Sequence, residues 1–197
     1  MQNNAETINR NWNRIIGLVL GGAVLIYLTS RLLRPVEQPW IFLDYVNLIF
    51  HESGHVLFSP FGDVLRILGG SLTQLIIPII CLIAFWSKKQ FGSAAFALFW
   101  LGDSLINVAV YIKDAQARSL PLITDDPESH DWHWLLDHWS LLQSDQQIGG
   151  VIYFLGALAL FGAIGWVGYL IYQTWNMPNS TLETASDQID QTRKIIS

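Results

Sequence analysis

Long apolar runs separated by short polar segments dominate the chain. Four runs approach the roughly 20 apolar residues that a membrane-spanning helix requires, and they cover residues 15–30, 67–86, 91–112 and 148–175. A fifth run, residues 39–58, has the length of a span but carries Asp44, Asn47 and the sequence HESGH. The pattern predicts an all-α, polytopic membrane protein with about five transmembrane helices.

The predicted membrane domain covers residues 1–175 and includes a polar loop at 113–147. Within that loop, the tryptophan-rich run after His130 predicts a short interfacial helix whose rings lie at headgroup level. Residues 176–197 are polar and lack an apolar pattern, which predicts a disordered tail.

Composition agrees with this interpretation. The chain is 51% hydrophobic and only 14% charged, with a mean hydropathy of +0.34, which favours an integral, multi-pass protein in contact with membrane lipid. The formal net charge of −5 comes largely from the polar loop and the tail, so no nucleic-acid partner is expected. The single cysteine, Cys81, excludes an internal disulfide and a cysteine-based metal site.

The order of the runs predicts which segments share a side of the membrane. If all five runs cross, the N-terminus, the 58–67 turn and the 113–147 loop lie on one side. The C-terminal end of the helix that carries HESGH is then expected on the same side as the loop.

HESGH is an HExxH pattern. In a helix, His51 and His55 are one turn apart on one face, so two imidazole nitrogens can bind a single ion. Glu52 is the residue that, in zinc hydrolases with this pattern, takes a proton from the zinc-bound water and does not bind the metal. The motif therefore predicts Zn²⁺ as cofactor, with His51 and His55 as ligands and Glu52 as the catalytic base.

Polar residues continue the histidine face along the same helix. Asp44, Asn47, His51 and His55 are spaced three, four and four residues apart, which is one continuous stripe. Because polar groups that face lipid are costly, this stripe is expected to face protein or water. Asn47 is a candidate for orienting the histidines, and packing against another helix is an equally open role.

Catalytic zinc usually takes three protein ligands and leaves one position for water. The remaining histidines of the chain, His130, His133 and His138, all lie in the polar loop, and His130 is the preferred third ligand. Asp131 next to it is an alternative. Asp103 in the run 91–112 is another, because its depth in the span is similar to that of His51.

Two further polar residues lie in apolar runs and are candidates for the surroundings of the site. Gln74 is in the run 67–86, and Asn107 shares a helical face with Asp103. Asn107 is a candidate for stabilising the developing oxyanion or contacting the substrate backbone.

A helix-borne HExGH in a polytopic, apolar chain resembles the site-2 protease group of intramembrane zinc metalloproteases, and HESGHVLF is the part that matches. The resemblance implies that His51 and His55 bind zinc and that Glu52 activates water. It also implies a third ligand from an Asp-Gly motif near a later span, and no Asp-Gly pair occurs in this chain.

Three functional hypotheses follow from these residues. The first is a zinc-dependent, membrane-embedded peptidase that acts on a peptide or membrane-protein substrate. The second is a membrane protein that binds zinc without catalysis, because protein ligands fill every coordination position. The third is a helix-packing or assembly protein whose polar stripes join helices.

Overall fold

The computed structural model describes residues 2–33, 42–120 and 129–176, with side chains from residue 12 onward. The α-helices of these segments are α1 (Gln2–Leu32), α2 (Phe42–Phe58), α3 (Asp63–Ser87), α4 (Phe91–Lys113), α5 (Asp131–His138) and α6 (Asp145–Asn176). Short 3-10 helices at Ser59–Phe61 and Leu142–Ser144 precede α3 and α6. No β-strand occurs in the described ranges, which confirms the all-α prediction there. Residues 177–197 of the predicted tail lie outside the described part.

Four helical segments are long and apolar enough to cross a membrane, which is the make-up of a multi-pass membrane protein. They are Trp12–Leu32 of α1, all of α3, all of α4, and Leu142–Asn176, which includes α6. The predicted number of about five is not confirmed. The fifth run becomes α2, which has 17 residues and is therefore about 25 Å long, shorter than the roughly 30 Å hydrocarbon core of a bilayer.

The central contact of the fold is the antiparallel pair of α4 and α6. A Cβ on Gly102 of α4 would lie 2.9 Å from the backbone nitrogen of Leu160 in α6. A Cβ on Gly156 of α6 would lie 3.1 Å from the backbone nitrogen of Ile106 in α4. Phe99 and Leu160 are fully buried in the core between these helices. Small residues at the contact let the two backbones approach closely, which is how helices commonly pack in lipid.

α2 runs parallel to α4 and antiparallel to α3. Asn47 near the start of α2 contacts Asp103, and His51 one turn later faces Tyr111, with ring centroids 6.1 Å apart. A tight connection through Gly62 joins α2 to α3. Gly62 has φ +93°, a left-handed value that favours glycine.

α1 packs on α6 in the antiparallel direction. The indole of Trp12 lies edge-to-face against that of Trp175, with centroids 5.7 Å apart, and a Cβ on Gly22 would lie 3.3 Å from Val167. The start of α1 is thus at the C-terminal end of α6, away from the 58–67 turn, so the expected side of the N-terminus is wrong. The 58–67 turn and the described part of the 113–147 loop lie on one side, as expected. The expectation assumed that successive runs cross the membrane in opposite directions. The run of α2 instead points in the same direction as α1, so it does not add a crossing to the alternating series. The alternating helices are α1, α3, α4 and α6.

The short helix predicted after His130 is α5, which lies beside α3 and the C-terminal end of α4. Leu135 and Leu136 are its buried residues, and the indole nitrogen of Trp132 donates to Ser71 Oγ of α3 at 3.0 Å. These contacts bring the polar loop back over the helix ends.

The closest approach of α2 to α3 is at the glycine of HESGH. A Cβ on Gly54 would overlap the carbonyl oxygen of Gly69 and lie 2.6 Å from Thr73 Oγ1. We expect Gly54→Ala to lower the thermal unfolding midpoint of the detergent-solubilised protein, with a cost of about 1–3 kcal/mol for overpacking. Gly150→Ala is the matched control, because nothing lies within 4 Å of a Cβ there. An unchanged midpoint for Gly54→Ala would contradict the close packing.

Candidate metal centre

The two histidines of HESGH point their Nε2 atoms at one carboxylate oxygen. Asp131 Oδ2 lies 2.8 Å from His51 Nε2 and 3.2 Å from His55 Nε2. α2 provides the pair because residues four apart lie on one helical face, and α5 provides the carboxylate at its first residue. Three donor atoms from two distant parts of the chain therefore meet at one point.

The orientation of His55 leaves Nε2 as its metal-binding atom. Its Nδ1 donates to the carbonyl oxygen of Arg66 at the start of α3, with a distance of 2.9 Å. A carbonyl oxygen only accepts, so Nδ1 carries a proton, and the opposite nitrogen, Nε2, faces Asp131. Metal-binding histidines usually have such a second contact, which holds the ring in place.

Gly70 of α3 lies directly under both rings. A Cβ at this position would be 2.7 Å from His51 Nε2 and 2.7 Å from His55 Nε2. A side chain at this position would require both rings to shift. The sequence contains no signal that singles out Gly70, since it is one of several glycines in apolar runs.

Glu52 lies beside the donor atoms but remains exposed to its surroundings. One of its carboxylate oxygens and a ring nitrogen from each of His51 and His55 all lie within 4.8 Å of one another. This placement suits either a base next to a bound ion or an additional ligand.

The protein environment favours the ionised form of Asp131. Burial would raise the pKa of its carboxyl, but hydrogen bonds from His51 and His55 outweigh burial and hold that pKa below its ordinary value. A carboxylate is the form that binds a metal ion.

The preferred third ligand, His130, is not at this point. Its Nδ1 accepts a hydrogen bond from the backbone nitrogen of His133 at 3.1 Å, and its Nε2 faces Asp114 Oδ2 at 3.4 Å. The neighbouring alternative, Asp131, is the residue that contacts the histidine pair. Adjacent residues at the start of a helix point in different directions, and the spacing in the sequence does not determine which of them faces α2.

Asp103 and Asn47 form a separate buried network one turn away from the histidines. Asn47 Nδ2 donates to Asp103 Oδ2 at 2.8 Å, while Asn47 Oδ1 accepts from Trp100 Nε1 at 2.8 Å and from Ser104 Oγ at 3.1 Å. The side chain of Asn47 thus joins α2 to α4 and makes no hydrogen bond to His51 among the described contacts. Asp103 Oδ1 has no hydrogen-bond partner in the described part of the chain.

Gln74 and Asn107 contact each other. Gln74 Nε2 donates to Asn107 Oδ1 at 3.0 Å, which connects α3 to α4. Gln74 is buried, whereas Asn107 is exposed although it lies within the spanning helix α4. On α4, Asn107 lies one turn before Tyr111, whose ring faces His51. Asn107 is therefore at the surface of the described helices, close to the depth of the histidines.

The two separations from Asp131 Oδ2 are close to those between ligand atoms around a tetrahedral ion such as Zn²⁺. With bonds of about 2.0–2.1 Å, a tetrahedral ion holds its ligand atoms about 3.3 Å apart. The separation between His55 and Asp131 is already 3.2 Å, and that between His51 and Asp131, at 2.8 Å, requires only a small widening. Two imidazole nitrogens and one carboxylate oxygen are also the ligand types that zinc prefers.

Comparisons with known proteins add no second line of evidence. No protein-family model matches the chain, and neither a curated protein nor a solved structure is significantly similar to it. The interpretation of this centre thus depends on its own residues and their geometry.

The position of Gly70 generates a prediction about metal affinity. We expect Gly70→Ala to weaken Zn²⁺ binding by at least about tenfold, because the new Cβ displaces both imidazoles without removing a ligand. Competition with a fluorescent zinc chelator measures this, and Gly150→Ala again provides the control. Wild-type affinity in Gly70→Ala would show that the two rings do not bind an ion together in this arrangement.

Proposed function

We propose that this chain is a zinc-dependent, membrane-embedded peptidase whose ion is held by His51, His55 and Asp131. The observation that carries the proposal is the convergence of Asp131 Oδ2 with both Nε2 atoms, at 2.8 and 3.2 Å. It supplies the three protein ligands that catalytic zinc usually has and leaves one position open.

Glu52 is the proposed general base. When bound, the ion would supply Lewis acidity that polarises the scissile carbonyl and makes a water molecule more acidic. The carboxylate of Glu52, exposed and near both histidines, would take the proton of the attacking water and later deliver it to the leaving amine. General acid–base catalysis of this kind contributes about 10²- to 10⁴-fold to the rate.

Asn107 is the proposed contact for the substrate. Its Oδ1 is occupied by Gln74, which orients its exposed amide NH₂ group as a donor. A donor at this position can bind the carbonyl of an extended substrate strand or the developing negative charge on the attacked oxygen.

The proposed site lies close to one end of the helices. Tyr111 comes two residues before the end of α4, and Gly70 comes seven residues after the start of α3. At 1.5 Å per residue these positions are about 3 and 10 Å from the respective helix ends. A site at this depth would receive water from the membrane boundary and substrate from the bilayer edge.

A non-catalytic metal site is the second candidate function, and one observation favours it. Glu52 is close enough to the histidines that its carboxylate could become a fourth ligand, which would close the coordination sphere. The remaining hypothesis, a packing role, is supported by the Asn47–Asp103 and Gln74–Asn107 pairs, which lie outside the donor set.

Metal analysis of the purified protein separates these functions. We expect the wild type to bind about one Zn²⁺ per chain, and we expect His51→Ala, His55→Ala and Asp131→Ala to lose it, because each removes one of three ligands. Glu52→Gln should retain the ion. Loss of zinc in Glu52→Gln would indicate a closed, non-catalytic site, and a metal-free wild type would contradict both metal functions.

Hydrolysis is tested with reconstituted protein. Proteoliposomes that contain the zinc-loaded wild type are incubated with a mixture of peptides and single-span membrane proteins, and cleavage is detected by mass spectrometry. We expect Glu52→Gln to reduce cleavage by about 10²- to 10⁴-fold while metal content stays constant. Asp63→Asn is a suitable control, since Asp63 is an exposed acidic residue of α3 outside the donor set. Equal cleavage by wild type and Glu52→Gln would rule out the proposed base.

A further inference from the structure

His130 is buried at the junction between α4 and α5. It is the N-cap residue of α5, and its Nδ1 accepts from the backbone nitrogen of His133 at 3.1 Å. Its ring packs against that of Tyr111, with centroids 4.2 Å apart. The residue is only 1% exposed, and its Nε2 makes no regular hydrogen bond in the described part of the chain.

The nearest polar group to this Nε2 is the carboxylate of Asp114, at 3.4 Å. Since Nδ1 accepts a hydrogen bond, the proton of a neutral His130 ring is on Nε2, the ring nitrogen next to this carboxylate. Asp114 is itself held in place, because its oxygens accept from the backbone and hydroxyl of Ser119 and from the backbone of Leu120. These hydrogen bonds outweigh burial and hold the pKa of Asp114 below its ordinary value.

Two residues that follow His130 are also attached to the end of α4 and the turn after it. The backbone nitrogen of Asp131 donates to Tyr111 Oη at 3.1 Å. His133 Nδ1 donates to the carbonyl oxygen of Ala115 at 2.8 Å. The backbone around Asp131 is therefore attached to the end of α4, and the carboxylate of Asp131 points toward α2.

We propose that His130, through Asp114 and the first turn of α5, is a positioning residue that holds the Asp131 carboxylate against His51 and His55. The proposal rests on the proposed function, since it assumes that these three side chains bind the ion. It assigns His130 a role other than metal ligation. An eight-residue helix is too short to be stable alone, so the placement of Asp131 depends on these contacts.

Metal affinity measures this role directly. His130→Ala and Asp114→Asn should each weaken Zn²⁺ binding by about 10- to 100-fold, the range typical of groups that orient a ligand. The double variant should lose little more than either single variant, because both changes remove the same contact. His138→Ala is the matched control: His138 is exposed at the far end of α5 and stacks on Trp134, and its loss should leave the affinity unchanged.

The visible spectrum of the Co²⁺-substituted protein distinguishes positioning from ligation. At saturating Co²⁺, His130→Ala should retain the wild-type band positions and intensities, because the ligand set is unchanged. Asp131→Ala should change them. An altered spectrum in His130→Ala would overturn the proposal by making His130 a ligand, and wild-type Zn²⁺ affinity in both His130→Ala and Asp114→Asn would overturn it by showing that the contact does not matter.

Hydrogen exchange of the metal-free protein provides a readout that does not depend on binding. Peptides that cover 129–138 should exchange faster in His130→Ala and Asp114→Asn than in the wild type or in His138→Ala, with the exchange of α6 unchanged as a test of intact folding. Unchanged exchange in 129–138 would contradict the proposed attachment of α5. Failure of the metal binding on which the proposed function depends has a different signature, since the wild type would then bind no Zn²⁺.

Discussion

A single carboxylate oxygen, Asp131 Oδ2, shared by the Nε2 atoms of His51 and His55, is the contact on which the arrangement of this end of the molecule depends. It joins a residue of the polar loop to a helix about 80 positions earlier in the chain, and it concentrates three metal-binding atoms in a partly buried place. Burial by itself disfavours a charged carboxylate, whereas paired imidazoles stabilise it.

Two close approaches make this contact possible. α2 reaches α3 at Gly54 and Gly69, where any side chain would collide with backbone, and the rings of both histidines lie over Gly70. Close packing at small residues is a general feature of helices in lipid, where van der Waals contact replaces the hydrophobic effect as the driving force. In this chain, the close packing of α2 on α3 also determines the space available to the imidazole donor atoms. Helix packing and the geometry of the candidate metal centre therefore depend on the same group of glycines.

The polar residues of the membrane helices have different roles according to their partners. Asn47 and Asp103 bind each other and fix α2 against α4, which is a structural use of a polar stripe. Glu52 and Asn107 are exposed, and neither is enclosed by helix packing as Asn47 is. The helical stripe on which Asn47 lies with His51 and His55 therefore combines an interhelical contact with a candidate metal centre.

The all-α class, the apolar helices and the pairing of His51 with His55 were predictable from the sequence, because helical periodicity is local and places residues four apart on one face. Other features were decided by tertiary structure alone. Asp131 contacts the histidines while His130 turns toward Asp114, and α1 and α2 run in the same direction. These depend on contacts between residues far apart in the chain, such as Asp131 with Tyr111, and no periodicity within one segment encodes the direction in which a loop residue points.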